Sequence, residues 1–118
     1  MYNLQSLQTL NLSHNKIERI ENLKYLVSLS NLNVSHNFLS NEHSIMGLIE
    51  APDVLSVLEL SNNEIACSEE IFKILVRKPQ LNCLYLKSTP FNRGFKNYRK
   101  RLIGNLKKLK FLDDRPVL

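Results

Sequence analysis

The chain has 118 residues, 43% hydrophobic and 23% charged, which is apolar enough for one packed core and excludes a disordered polyelectrolyte. No apolar run approaches the roughly 18 residues of a membrane span, and Met1-Tyr2-Asn3-Leu4-Gln5 has neither the basic start nor the apolar stretch of a secretory signal. The net charge is +5 but unevenly placed, with residues 91–118 carrying +7 and residues 1–90 carrying −2.

From the start of the chain one pattern recurs. Leu7-x-x-Leu10-x-Leu12-x-x-Asn15-x-Ile17 is followed by Leu29-x-x-Leu32-x-Val34-x-x-Asn37-x-Leu39, then by Leu55-x-x-Leu58-x-Leu60-x-x-Asn63-x-Ile65. A fourth copy, Leu81-x-x-Leu84-x-Leu86-x-x-Thr89-x-Phe91, replaces the asparagine by threonine, and Leu106-x-x-Leu109-x-Phe111 opens a fifth. This is the leucine-rich repeat pattern. Each Leu-x-Leu alternates with period two, so its leucines share one face of a short strand that only a neighbouring unit can bury. The amides of Asn15, Asn37 and Asn63 can bond backbone groups of their own turn and of the next coil, whereas Thr89 can do only part of this, so the regular ladder should end there.

Between the strands the arcs differ. Ile17, Ile20, Leu23, Leu26 and Leu29 are spaced by three, which suits 3₁₀ turns on the convex side. The longer third arc reads as a helix over 69–77, with Ser68 as cap, Glu69 and Glu70 in the first turn and Ile71, Ile74 and Leu75 as buried stripe. A weaker copy spans 44–49, with Gly47 lowering its helix propensity. Phe95, Tyr98, Leu102 and Leu106 form one helical stripe, so a cap helix is expected over 95–105 with basic residues on its solvated face. The expected architecture is α/β: a right-handed leucine-rich repeat solenoid with a parallel concave sheet of four to five strands, convex helices and 3₁₀ turns, and a helical C-terminal cap. It forms one domain, 1–118, with repeats at about 4–28, 29–54, 55–80 and 81–105 and the cap at 92–118. The first coil should expose an apolar edge, which offers a route to self-association.

A catalytic constellation is missing from the sequence. His14 and His36 occupy the same repeat position and should lie one strand spacing apart, but no third ligand accompanies them, so no metal is expected. Asp113 and Asp114 are adjacent and read, with Arg115 and Tyr98, as cap residues rather than an acid–base pair. Cys67 and Cys83 fall on different sides of the solenoid, so no disulfide is expected. The reading is a non-enzyme without cofactors, substrates or membrane contact, expected in the reduced cytoplasm. Its interaction surface is the concave face: Asn31, Asn33, Val57, Glu59, Tyr85 and Lys87, with Lys108 and Lys110 as a fifth row. Tyr85 is the strongest anchor because tyrosine is enriched at binding hot spots. Nucleic acid is not expected, since the basic segment lacks interleaved exposed aromatics and a glycine-rich phosphate loop.

One segment carries a more specific likeness. Asn97-Tyr98-Arg99-Lys100, followed by Leu106-x-x-Leu109-x-Phe111-Leu112-Asp113-Asp114-Arg115-Pro116-Val117, resembles the C-terminal cap of the leucine-rich axonemal dynein assembly factors. Leu58-x-Leu60-Ser61-x-Asn63-x-Ile65 with the Glu70-Ile71-x-x-Ile74-Leu75 helix is similar to their penultimate repeat. Ser88-Thr89-Pro90 departs from the Gly-Asn-Pro that the family prefers. The resemblance implies a scaffold for cytoplasmic preassembly of dynein arms of cilia or flagella, with dynein chains and chaperones as partners. Two alternatives stand beside it. One is an adaptor similar to the leucine-rich regulator of protein phosphatase-1; the other is a ribonucleoprotein scaffold similar to a leucine-rich spliceosomal subunit.

Overall fold

The Leu-x-Leu segments form strands of three residues, too short to be stable without neighbours. The computed structural model describes residues 4–117. Its strands are β1 (Thr9–Asn11), β2 (Asn31–Asn33), β3 (Val57–Glu59), β4 (Cys83–Tyr85), β5 (Phe111–Leu112) and β6 (Arg115–Pro116). They lie side by side in chain order; β1 to β5 pair in parallel and β6 folds back antiparallel on β5. Leu10, Leu32, Leu58, Leu84 and Leu112 form one row across the sheet. The last four are fully buried, while Leu7, Leu10, Leu12 and Ile17 of the first coil are only partly covered.

Neighbouring coils are joined by side-chain amides. Asn37 Nδ2 donates to its own turn at Val34 O and Ser35 O and to Leu12 O of the coil before, and its Oδ1 accepts from Ile17 N. Asn63 repeats the set with Leu60 O, Ser61 O, Val34 O and Leu39 N. The bonds reach the preceding coil, not the following one as read from the sequence. Thr89 cannot continue them: its hydroxyl donates to Leu86 O and accepts from Asn92 N, which makes it a helix cap. The ladder does end there.

The convex side follows the arc lengths. The first arc is a chain of turns closed by Leu26 N→Leu23 O and Leu29 N→Leu26 O, with Ile20, Leu23, Leu26 and Leu29 buried. In the second, α1 (Glu42–Ile45) starts two residues before the expected 44, because Asn41 caps it by accepting from Ser44 N. It tightens at once into a 3₁₀ turn over Met46–Glu50. Gly47 explains the geometry: a Cβ there would lie 2.1 Å from Ile20 O, so the two arcs touch backbone to backbone. In the third, α2 (Glu69–Leu75) is capped by Ser68 and buries Ile71, Phe72, Ile74 and Leu75, ending two residues short of the expected 77. Lys78, just beyond the helix, is only 3% exposed and donates to Ala51 O at 2.7 Å. Burial lowers its pKa below the usual lysine value. The cap helix expected over 95–105 forms as α4 (Tyr98–Asn105), starting three residues later, and a further short helix, α3 (Pro90–Gly94), precedes it. Phe95 is extended and Asn97 left-handed at φ 57°, which breaks the helix although Phe95, Leu102 and Leu106 are buried as the stripe predicts.

The fifth unit is shifted from its sequence frame. Phe111 pairs with Cys83 and Leu112 with Leu84, so Leu112, not Leu109, is the counterpart of Leu84. The reason is local: Leu109 N→Leu106 O closes the same turn that Leu81 N→Lys78 O and Leu55 N→Pro52 O close one and two coils earlier. Leu109 thus occupies the position of Leu81.

Among the described residues no helix is long and apolar enough to cross a membrane. Two substitutions test the packing. Leu58→Ala or Leu84→Ala should cost roughly 2–5 kcal/mol through cavity formation. Gly47→Ala should cost about 1–3 kcal/mol by forcing the first two arcs apart. Urea denaturation measures both, and near-wild-type midpoints would contradict the packing described.

Candidate functional site

The residues between the buried leucines form the concave face in rows fixed by strand register. One row runs Thr9, Asn31, Val57, Cys83, Phe111, and the next runs Asn11, Asn33, Glu59, Tyr85. The first half is neutral and polar, and part of its polarity is spent on the fold. Asn33 Oδ1 accepts from the backbone and hydroxyl of Ser35, and Asn11 makes the same bonds to Ser13. Glu59 Oε1 accepts from Ser61 N in the equivalent place. Asn33 and Glu59 therefore hold their turns while remaining half-buried on the face. Asn31 and Val57 are also half-buried, without such bonds.

The second half is different. Tyr85 is half-buried beside Glu59, and burial together with the neighbouring Cys83 raises its phenol pKa above the usual value. Lys87 is exposed at the end of its strand and pairs with Asp114 at 2.9 Å. Lys108 and Lys110, expected as a fifth concave row, are not on it. The register shift places them at the positions of Gln80 and Asn82, in the turn that leads into β5. Phe111 takes the concave position instead, 43% exposed next to Cys83, and the sequence frame had assigned it to the core.

The cap supports this half through one carboxylate. Asp113 and Asp114 both adopt left-handed backbone, at φ 52° and 67°, and make the tight turn from β5 to β6. Asp113, 9% exposed, accepts from Leu86 N at 2.6 Å through Oδ1 and from Asn92 Nδ2 and Tyr98 Oη through Oδ2. It caps the last coil as expected, but the partnering arginine is Arg99, not Arg115. Arg99 donates to the carbonyls of Leu112, Arg115 and Pro116, whereas Arg115 itself is exposed without an ion-pair partner among the described residues. Arg101 bonds both oxygens of Glu69 and lies over the rings of Phe72 and Phe95, which ties α4 to α2.

His14 and His36 stack with ring centroids 4.1 Å apart and planes 12° from parallel. Both are left-handed, as are Asn62 and Ser88 at the same repeat position, so the pair follows from the repeat. Among the described residues no group of three or more His, Cys, Asp or Glu is placed to hold a metal ion. Cys67 and Cys83 are free thiols.

A parallel sheet of short strands, an asparagine at each of the first three turns, convex arcs and a capped last coil define the leucine-rich repeat fold, and residues 6–26 match the Leucine Rich Repeat family model. More specifically, the chain resembles the axonemal dynein assembly factors. It is 48% identical over 63 residues to the leucine-rich repeat-containing protein ODA7 of Chlamydomonas reinhardtii, covering 53% of this chain and 14% of that protein. It is 44% identical over 63 residues to dynein axonemal assembly factor 1 of Homo sapiens, covering 53% of this chain and 9% of that protein. With the Drosophila pseudoobscura homolog it shares 43% identity over 80 residues, 68% of this chain and 5% of that protein. The chain thus spans a small part of the length of these relatives. Among solved structures it superposes on the Drosophila melanogaster SNF/U2A′ complex with TM-score 0.84 and 27% identity, covering 98% of this chain and 64% of that one. An internalin (inlF) of Listeria monocytogenes follows at TM-score 0.71 and 26% identity, covering 92% and 28%.

The Asp113 hub gives a pH prediction. Burial first, and donation to Asp113 second, hold the Tyr98 phenol far above its usual pKa of 10.0. The folded state keeps a proton that the unfolded chain loses, so this contribution is complete below pH 10.0 and declines as pH rises past it. Tyr98→Phe should cost about 1.5–3 kcal/mol at neutral pH, the worth of a hydrogen bond to a charged group. Melting curves of the two proteins should converge at more alkaline pH; a difference that does not change with pH would contradict this.

Proposed function

We propose that this protein is a non-catalytic scaffold for the assembly of axonemal dynein arms, working in the cytoplasm of a ciliated or flagellated cell with dynein chains or chaperones as partners. The observation that carries the reading is the similarity to ODA7 and to dynein axonemal assembly factor 1, at 42–48% identity over 63 residues of this chain. The geometry supports a binding role. The sheet presents a continuous face whose second half gathers Tyr85, Phe111 and Cys83 next to Val57 and beside the Lys87–Asp114 pair, with Asp113 and Arg99 bonded to the backbone of the last strands. Rigid aromatic side chains bind with little loss of conformational entropy, so Tyr85 is the proposed anchor.

A second reading has one specific observation in its favour. The superposition on a chain of the SNF/U2A′ complex covers 98% of this protein, which supports a ribonucleoprotein scaffold with the same concave face as docking surface. The two readings separate genetically. Deleting the gene in a ciliated organism should leave axonemes short of dynein arms by electron microscopy, while pre-mRNA splicing is unchanged. Tyr85→Ala with Glu59→Gln should reproduce the loss in a protein that still folds, since both side chains lie on the concave face and glutamine keeps the acceptor for Ser61 N. Intact dynein arms after deletion, with or without a splicing defect, would overturn the dynein reading.

A further inference from the structure

The cap of this solenoid spends some of its cations on the fold and leaves others free. Arg99 is used on three backbone carbonyls, Arg101 on Glu69, and Lys87 on Asp114. Lys107, Lys108 and Lys110 are exposed and have no ion-pair partner among the described residues. No acid of the cap is left to neutralise them, because Asp113 is buried under Leu86 N, Asn92 and Tyr98, and Asp114 is taken by Lys87. Their backbone is fixed: Leu109 N→Leu106 O closes the turn that holds Lys107 and Lys108, and Lys110 N→Asn82 O docks the next residue on the coil before. Three like charges are thus held on one ordered turn and the residue just after it, where they repel one another.

Lys110 is followed directly in the chain by an uncovered apolar group. Phe111 is 43% exposed, Pro116 lies opposite it on β6, and its row continues through half-buried Cys83 and Val57. We propose that this corner, Lys107, Lys108 and Lys110 beside Phe111, is a docking surface for an acidic protein segment that carries a large apolar side chain. The carboxylates of such a segment complement the lysines, and its apolar side chain covers Phe111 and the strip beyond it. The proposal goes beyond the dynein reading, since it assigns chemistry to a partner and holds whichever protein supplies the segment.

Two other occupants fit less well. Single-stranded nucleic acid uses successive aromatic platforms; here Phe91 and Phe95 are buried, and Tyr98 is committed to Asp113, which leaves Phe111 as the cap's one large exposed hydrophobic among the described residues. An added β-strand would have to pair along β6, where Pro116 has no N–H to give. The segment therefore docks on side chains rather than extending the sheet.

Fluorescence anisotropy with the full chain tests this. The probes are a labelled glutamate-rich peptide with one leucine, the same peptide with alanine in its place, an oligouridine RNA of equal charge, and phosphatidylserine vesicles. The leucine peptide should bind, more weakly as salt rises, and better than the alanine peptide or the RNA. Lys107→Glu, Lys108→Glu and Lys110→Glu together should weaken it at least about tenfold, and Phe111→Ser several-fold, with melting temperatures near wild type. The Lys→Gln triple variant, which removes charge without reversing it, should fall between wild type and the Glu variant. Absence of peptide binding at low salt, equal affinity for the two peptides, tighter binding of RNA or vesicles, or a triple Glu variant that binds like wild type would each overturn the proposal.

Discussion

The buried amides of Asn37 and Asn63 hold the coils of this solenoid in register. Strands of three residues offer few ladder bonds, and each coil meets only its neighbours. One asparagine side chain closes its own turn, takes a carbonyl of the coil before and supplies an acceptor to that coil's N–H. The groups it serves are buried, so losing the amide would leave backbone donors and acceptors unpaired, a larger penalty than the bonds are worth in water. The same geometry imposes left-handed backbone on the residue before it, at His36 and Asn62. The stacked histidines follow from that requirement.

Where the ladder stops, the structure changes. Thr89 turns from ladder residue to helix cap, two short helices replace a long arc, and Asp113 takes over the role of bridging coils by accepting from Leu86 N of the preceding unit. This substitution of carboxylate for amide brings Tyr98 and Asn92 to the same point and fixes the hairpin that ends the sheet. The concave face inherits the asymmetry. Its first half is polar and partly committed to the turns, while its second half, over the rigid cap, carries the aromatic and apolar side chains and lies beside the free lysines.

The repeat itself was legible because its chemistry is periodic. The core positions Leu32, Leu58 and Leu84, the turn positions Asn37 and Asn63, and the α2 stripe follow from spacing alone. The fifth unit misled because Leu106-x-x-Leu109-x-Phe111 fits the motif one turn too early. Only the turn bond from Leu109 N and the Asp113-Asp114 hairpin distinguish the two frames, and both are tertiary facts. That shift exchanged Phe111 with Lys108 and Lys110 on the candidate face. The break at Asn97 was hidden behind an unbroken apolar stripe, since left-handed asparagine leaves the period of its neighbours intact. Gly47 carries a signal beyond poor helix propensity, since a glycine in a helical arc also permits close backbone approach. Lys78 could have been placed by counting, for it lies three residues before Leu81 as Leu26 lies before Leu29, at a position that is buried in both coils.

These features describe a leucine-rich repeat solenoid whose last coil is tied together by Asp113, Arg99 and Arg101. The central claim is that the concave face around Tyr85 recruits the axonemal dynein machinery. Affinity capture of the tagged protein from the cytosol of ciliating cells, quantified by mass spectrometry for wild type and for Tyr85→Ala with Glu59→Gln, tests it most directly. The account predicts axonemal dynein chains with the wild type and their loss with the folded variant. Recovery of spliceosomal proteins in their place, or dynein chains captured equally by both, would contradict it.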